Sequence, residues 1–356
     1  MVCSAWVDWS INVCACFCEE VQGEEQERKA MKGVTIHGCG LAGVFLGWRL
    51  WQRGISFQHV GAREVGASWA AAGLVNPVTG KGMNVSWRLA EFLEEMKEFY
   101  LDAGAMLGRH YFREEPVLRI FAGEKEKAKF RAKQDELEPW IGEVYPVLTD
   151  VKSGDAGGVE WLGGGWVNVR RFVNDSLAFF AEEGMGAPGP EVEVYCEGAK
   201  GLQKGCFSYL PQRLAKGEIL EVEVPGWGEQ RILNRRGWSI PIGGECYRVG
   251  ATYEWDDLTN EPSEKGQLKL ESLVREFTDR PFSIKNHVSG VRPIVRNSEP
   301  VIGAHPDEKG KFVFNGLGSK GCLYGPKVAR ELVFHLLDGQ ALEPALDVAA
   351  LSNTKE

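Results

Sequence analysis

Residues 31 to 43 read MKGVTIHGCGLAG. Val34 and Ile36 alternate with Thr35 and His37, the period of a short strand. Gly38, Gly40 and Gly43 follow in the spacing G-x-G-x-x-G, and Val44 to Arg53 reads as a helix closed by Gly54 at its C′ position. Strand, glycine turn and helix in that order form the signature of a dinucleotide-binding turn. Gly38 permits the tight turn, Gly40 lets a pyrophosphate approach the backbone, and Gly43 lets helix and strand pack closely. The anion then lies on the helix N-terminus, at Leu41 and Ala42, where free N–H groups and the helix dipole favour it.

Thirty residues precede this strand, and their early Cys-rich and apolar part lacks the basic n-region of a secretory signal. The stretch EEVQGEEQERKA that closes them has the composition of a disordered segment. The expectation is that Met31 is the functional start, with residues 1–30 a disordered or spurious extension.

The whole chain has 356 residues, with 44% hydrophobic and 26% charged residues, and the length suits one large domain or two ordinary ones. A net charge of −9, with no basic stripe, argues against a nucleic-acid partner. No apolar run reaches the ~18 residues of a membrane span. Nine Cys without CxxC or Cys/His metal spacing fit a reducing cytoplasm, and no metal site is expected.

About 20 residues beyond the glycine turn, the second strand of such a fold ends in an acid that holds the ribose. In ISFQHVGA this position is read as His59, which accepts one hydrogen bond but is no bidentate carboxylate.

The segment GASWAAAGLVNPVTGKG (66–82), taken with the glycine turn, resembles the D-amino-acid oxidase, glycine oxidase and sarcosine oxidase family of FAD enzymes. The resemblance continues through GGGWVNVRRFVNDSLAFFAEEG, in which Asn168 is a candidate N-cap, and VEVYCEGAKGL. It is strongest in SGVRPIVRNSEPVIG (289–303) and FNGLGSKGCLYGPKVARELVFHLLDG (314–339), and it spans about 31 to 345. It implies noncovalent FAD, held by Gly38, Gly40, Leu41, Ala42, Gly43 and His59 at the turn. Ser68, Ala72, Gly73 and Leu74 would lie along the flavin, with Gly198, Gly316, Gly318, Ser319, Lys320 and Gly321 completing the cradle. Pro326 is read at N1 of the last helix, whose positive end faces the flavin. One departure stands out: where the family has a further strand for the adenine, this chain has only MGAPGP before the strand at Glu191.

The resemblance also implies the candidate catalytic residues. Arg292 would clamp a substrate carboxylate through its bidentate guanidinium. Trp238 and Tyr253 would wall the pocket, and Lys320 would favour the reduced flavin and its reaction with oxygen. The expected fold is α/β, a Rossmann-like FAD-binding domain (31–85, 160–205 and 288–345) interleaved with a mixed-sheet α+β substrate domain (86–159 and 206–287), and a tail over 346–356. A helix over 86–103 supports that division, with Leu89, Phe92, Leu93, Met96 and Tyr100 at helical spacing. The implied activity is oxidation of the C–N bond of an amino acid or small amine by hydride transfer to flavin N5, with oxygen as acceptor, in a cytoplasmic enzyme. The partner would be a small molecule bearing a carboxylate, with no nucleic acid, no membrane and an oligomeric state that the sequence leaves open. Two alternatives stay open: an oxidase of the tRNA wobble-uridine side chain, and a degenerate member that no longer binds FAD.

Overall fold

Strand β1 (Val34–His37) is flanked by helix α1 (Leu41–Gln52) and strand β2 (Phe57–Val60), so the glycine turn joins a buried strand to a buried helix. The computed structural model describes residues 33–63, 66–185, 192–295 and 299–352. The expectations for residues 1–30, for Met31 as a start and for most of MGAPGP fall outside them.

Two sheets organise the chain. The first has five strands in the order β10-β11-β5-β1-β2, with β5 Val192–Tyr195, β10 Val301–Ala304 and β11 Lys311–Asn315. β1 pairs in parallel with both β2 and β5, as a βαβ crossover demands. Among the described residues β2 is an edge of this sheet. Helix α4 (Val169–Glu182) packs on α1 through Trp48, which stacks on Phe179 at 5.0 Å and donates its indole N–H to Ser176 Oγ at 2.9 Å. Asn168 caps α4, accepting from Arg171 N as its position at N-cap predicts. The helix expected over 86–103 is α3, Leu89–Leu107.

The second sheet has eight strands and includes β6 (Ala215–Glu223), β7 (Trp238–Gly243), β8 (Cys246–Gly250) and β9 (Ser283–Arg292). Its two faces are separated by strand alternation. Leu118, Leu220, Val249, Leu270, Val274 and Phe277 form one apolar cluster, which brings in helix α5 (Glu264–Phe277). Ile219, Ile240, Val78, Met83 and Ala72 form the other, so this face looks toward the segment after α2 (Ala67–Ala70). β9 runs unbroken through residue 287, where the two expected domains meet, and delivers Arg292 at its end.

The long helix α6 (Gly321–Asp338), followed only by a short one at Val348–Ser352 among the described residues, buries Val328, Ala329, Leu332 and Val333. It starts five residues before Pro326, so Pro326 lies in the second turn rather than at N1. The Gly321–Gly325 stretch adds a full turn ahead of the proline, and Pro326 O accepts from Arg49 Nε at 3.3 Å.

Candidate active site

Contacts around the glycine turn account for each of its glycines. A side chain at Gly38 would meet Cys196 O at 2.5 Å, and one at Gly43 would meet Gly38 O at 2.2 Å. Gly43 therefore sets how closely α1 approaches β1. Gly40 is the N-cap of α1 and offers no side-chain acceptor; instead Ser68 reaches over from α2, and its Oγ accepts from Leu41 N at 3.0 Å. A Cβ on Gly40 would come within 2.9 Å of the same oxygen. Leu41 and Ala42 are buried at this N-terminus. Gly321, at the start of α6, lies against Leu41 (3.3 Å from its would-be Cβ to Leu41 Cδ1), so two long helices bring their positive ends together.

His59 is not at the ribose position. β2 pairs with β1 so that His59 faces Ile36 and Val60 faces His37, and Gly38 N donates to Val60 O at 2.7 Å. Parity turns His59 to the helix side of the sheet. Its ring stacks on Phe180 (5.7 Å, 13°) and its Nε2 donates to Gly43 O at 3.0 Å. Because a carbonyl only accepts, Nε2 carries the proton, and burial pushes the His59 pKa down to about 4. The residue level with the turn is Gly61, whose would-be Cβ lies 3.5 Å from Gly38 N. The alternation of Phe57 and His59 with the buried Val34 and Ile36 was the signal for this register.

On the flavin side, Ala72, Gly73 and Leu74 are fixed by main-chain bonds. Leu74 pairs with Trp166, Gly73 O accepts from Val167 N at 2.9 Å, and Ala72 O accepts from Trp166 Nε1 at 2.6 Å. Two residues that sequence reading missed hold the preceding turn. Arg170 Nε donates to Trp69 O at 2.7 Å and Arg248 Nη1 to Ala71 O at 3.3 Å, while both guanidinium groups meet Glu221 Oε1 at 3.2 and 2.9 Å. These contacts join residues far apart in sequence and leave no local mark.

The closing loop is tied to the end of β9. Gly318 N donates to Pro293 O at 3.0 Å, Gly198 O accepts from Asn315 Nδ2 at 3.0 Å, and Gly316 takes Asn315 Oδ1 on its N–H at 2.9 Å. Ser319 is exposed. Lys320, the N-cap of α6, is half-buried, which lowers its pKa; its Nζ lies 5.7 Å from the Tyr324 ring, and no carboxylate pairs with it among the described residues. Cys322 is buried, and its thiol is pushed up to about 12 by desolvation.

Arg292 lies flat across β6. Its Nη1 donates to Lys216 O and Thr252 O, and its Nη2 to Thr252 O, each at 3.3 Å; its Cζ sits 4.2 Å from the Tyr253 ring centre. It reaches Thr252 only because residue 217 is glycine, whose Cβ would fall 2.1 Å from Nη2. Burial lowers the Arg292 pKa, and no carboxylate pairs with it among the described residues. Register puts Trp238, opposite Gly250 and hence Ile219, on the same face of the sheet as Arg292. Trp238 packs against the apolar cluster of that face, whereas Tyr253 is 45% exposed and turned onto the guanidinium.

These residues fit a flavin dinucleotide unevenly. The turn is a cradle that a side chain at Gly40 would fill, and the two helix N-termini face the same region. Among the described residues no carboxylate stands at the tip of β2. Residues 191–334 match the family model described as FAD dependent oxidoreductase, DAO. In fold the chain is similar to glycine oxidase from Geobacillus kaustophilus (20% identity, 91% of this chain and 98% of that one, TM-score 0.73). It is also similar to iminodiacetate oxidase from Chelativorans sp. BNC1 (18% identity, 87% and 96%, TM-score 0.73). L-amino acid deaminase from Proteus vulgaris follows at 15% identity (92% and 96%, TM-score 0.69). Over residues 191–334 this protein is similar to the DAO family of FAD-dependent oxidoreductases, and its described chain shares the fold of these enzymes.

Proposed function

We propose that the chain oxidises the C–N bond of an amino acid or related small amine whose carboxylate is held by Arg292. The observation that carries this reading is the state of that guanidinium. It is largely desolvated though not fully buried, its polar contacts are backbone carbonyls and a Tyr ring, and it has no carboxylate partner among the described residues. A desolvated cation without an anion costs several kcal/mol. A carboxylate ligand offsets that cost and is held in two-point geometry. The relatives named glycine oxidase, iminodiacetate oxidase and L-amino acid deaminase give the same substrate class.

FAD, when bound, supplies the two-electron oxidation. The residues of the chain bind and orient. Arg292 fixes the carboxylate, Tyr253 shields the guanidinium from water, and Trp238 closes the apolar side. Lys320 places a positive charge at the α6 N-terminus and would stabilise the negative charge of a reduced cofactor held there. Gly38, Gly40 and Gly43, with Ser68, would hold the pyrophosphate, and Ala72 to Leu74 would lie along the ring. In this reading the cofactor is noncovalent, the acceptor is oxygen and the enzyme is cytoplasmic. Among the described residues no helix is long and apolar enough to cross a membrane.

The test is Arg292→Ala in purified, yellow protein. Loss of a desolvated charge pair, worth roughly 2–5 kcal/mol, lowers kcat/KM for an amino acid by ~30-fold or more. Flavin absorbance and Tm stay as in the wild type, and amines without a carboxylate lose far less. A colourless or unfolded variant would make Arg292 structural. Unchanged turnover of acids and amines alike would remove the amino-acid reading.

A further inference from the structure

Outward from Arg292 the same surface carries a ladder of aromatic rings and cations. Arg292 Cζ lies 4.2 Å from the Tyr253 ring centre, the Tyr253 and Trp255 rings are 5.6 Å apart, and Arg213 Cζ lies 6.0 Å from the Trp255 ring. The order is set by register. Ala215 of β6 stands opposite Arg292, and Arg213, two residues earlier on the same side, donates its N–H to Ile294 O at 2.8 Å. Two residues of extended chain advance it by roughly 7 Å. Arg292 folds the other way, over Gly217, so the two guanidinium groups sit at opposite ends of the ladder.

The outer end opens into a cleft of about 630 Å³ lined by Gln203, Gln212, Arg213, Leu214, Trp255 and Leu258. Tyr253 and Trp255 are 45% and 50% exposed, an unusual surface load for two large rings side by side. Of the acids nearest in sequence, Glu254 pairs with Lys265 and Asp257 with Lys216, while Asp256 is exposed beside Trp255 with no ion pair among the described residues. Arg213 is exposed, and no ion pair is formed by it among the described residues.

We infer that the substrate is an amino acid with an extended arm ending in an anion. The arm lies across Tyr253 and Trp255, and its terminal anion meets Arg213. The inference rests on the reading of Arg292 as the carboxylate clamp and deepens it. Stacked exposed rings suit a flat or amide-containing arm, and a cation at the far end adds a second charge-assisted contact. Glycine or a short amine leaves this surface unused.

Three dead-end probes test it on the flavin-loaded full-length protein by calorimetric titration: N-glutarylglycine, N-butyrylglycine and N-acetylglycine. All are amides and are not amine substrates. The wild type binds N-glutarylglycine at least tenfold more tightly than N-butyrylglycine. Arg213→Ala brings that ratio to within threefold of one and leaves N-acetylglycine binding unchanged. Trp255→Ala weakens both armed probes more than N-acetylglycine. Arg292→Ala weakens all three. Equal binding of the glutaryl and butyryl probes, or a ratio that survives Arg213→Ala, overturns the outer subsite and leaves the clamp standing. If no probe binds, or Arg292→Ala affects none, the clamp itself is lost and the subsite with it. Both Arg213 and Trp255 are exposed, so Tm serves as the check on folding.

Discussion

The glycine turn and the tip of β2 stand side by side at the same end of the sheet, yet they are built to different standards. At the turn, contacts that a side chain would violate surround Gly38, Gly40 and Gly43, and Ser68 already supplies an acceptor to the helix N-terminus. At the tip, Gly61 offers no side chain, and the imidazole nearest to it in sequence is turned under α1. The glycine turn is thus preformed by packing, while among the described residues the tip of β2 lacks the carboxylate that dinucleotide-binding folds ordinarily place there. A glycine turn that doubles as core is held in place by the fold itself, whereas a strand tip that would serve only a ligand is not.

Gly43→Ala strikes the preformed half hardest. The added methyl meets Gly38 O at 2.2 Å and forces α1 off β1. The expected loss is about 3 kcal/mol or more, at the top of the range for overpacking a core. Denaturant melts give the number, and a loss below ~1 kcal/mol would show that α1 is free to shift.

His59→Glu probes the other half. If residue 59 faced the ribose, a carboxylate there would tighten FAD. In the observed register it packs against Phe180 and Gly43 O instead, largely out of water, and Arg63 is the cation whose charge it feels. The expected result is a loss of about 3 kcal/mol of stability without gain in flavin affinity. Tighter FAD in a stable variant would restore residue 59 to the ribose.

A milder probe uses pH. The His59 pKa, about 4 when folded, lies below its ordinary 6.5. The unfolded chain therefore binds a proton that the folded one refuses. Its contribution is fully present above pH ~6.5 and is lost as pH falls toward 4, an effect of up to about 3 kcal/mol. His59→Gln keeps a donor for Gly43 O and removes the titration, so its stability falls less steeply across that window. Identical slopes in the two proteins would place the His59 ring in water.

Ser68→Ala is the smallest change. It removes the acceptor for Leu41 N, worth about 1 kcal/mol as a cap, and weakens flavin binding by severalfold. Unaltered Tm and flavin titration would show that Ser68 only fills space.

What the sequence made legible follows from how local each feature is. The turn, the Asn168 cap and the α6 face are carried by neighbours along the chain, and spacing alone exposes them. The register of β2 depends on which face is buried, and counting from the glycines landed two residues short of Gly61. The place of Pro326 was misread because a glycine-rich loop gave no sign of the helical turn ahead of it. Arg170 and Arg248, which hold Trp69 O and Ala71 O, act across gaps of 101 and 177 residues, where no pattern reaches. Arg292 came from a family likeness, and its dependence on residue 217 required coordinates.

That dependence has a consequence for how the pocket can change. The guanidinium rests on bare main chain at Gly217, so its height above the sheet is set from below, by a residue that contacts no ligand. A single methyl at 217 evicts the group from its seat while leaving every ligand-facing side chain intact. Selectivity among acids of different length is therefore adjustable from the floor of the pocket as well as from its walls, and Gly217→Ala, read by the ratio of affinities for N-acetylglycine and N-glutarylglycine, measures how far.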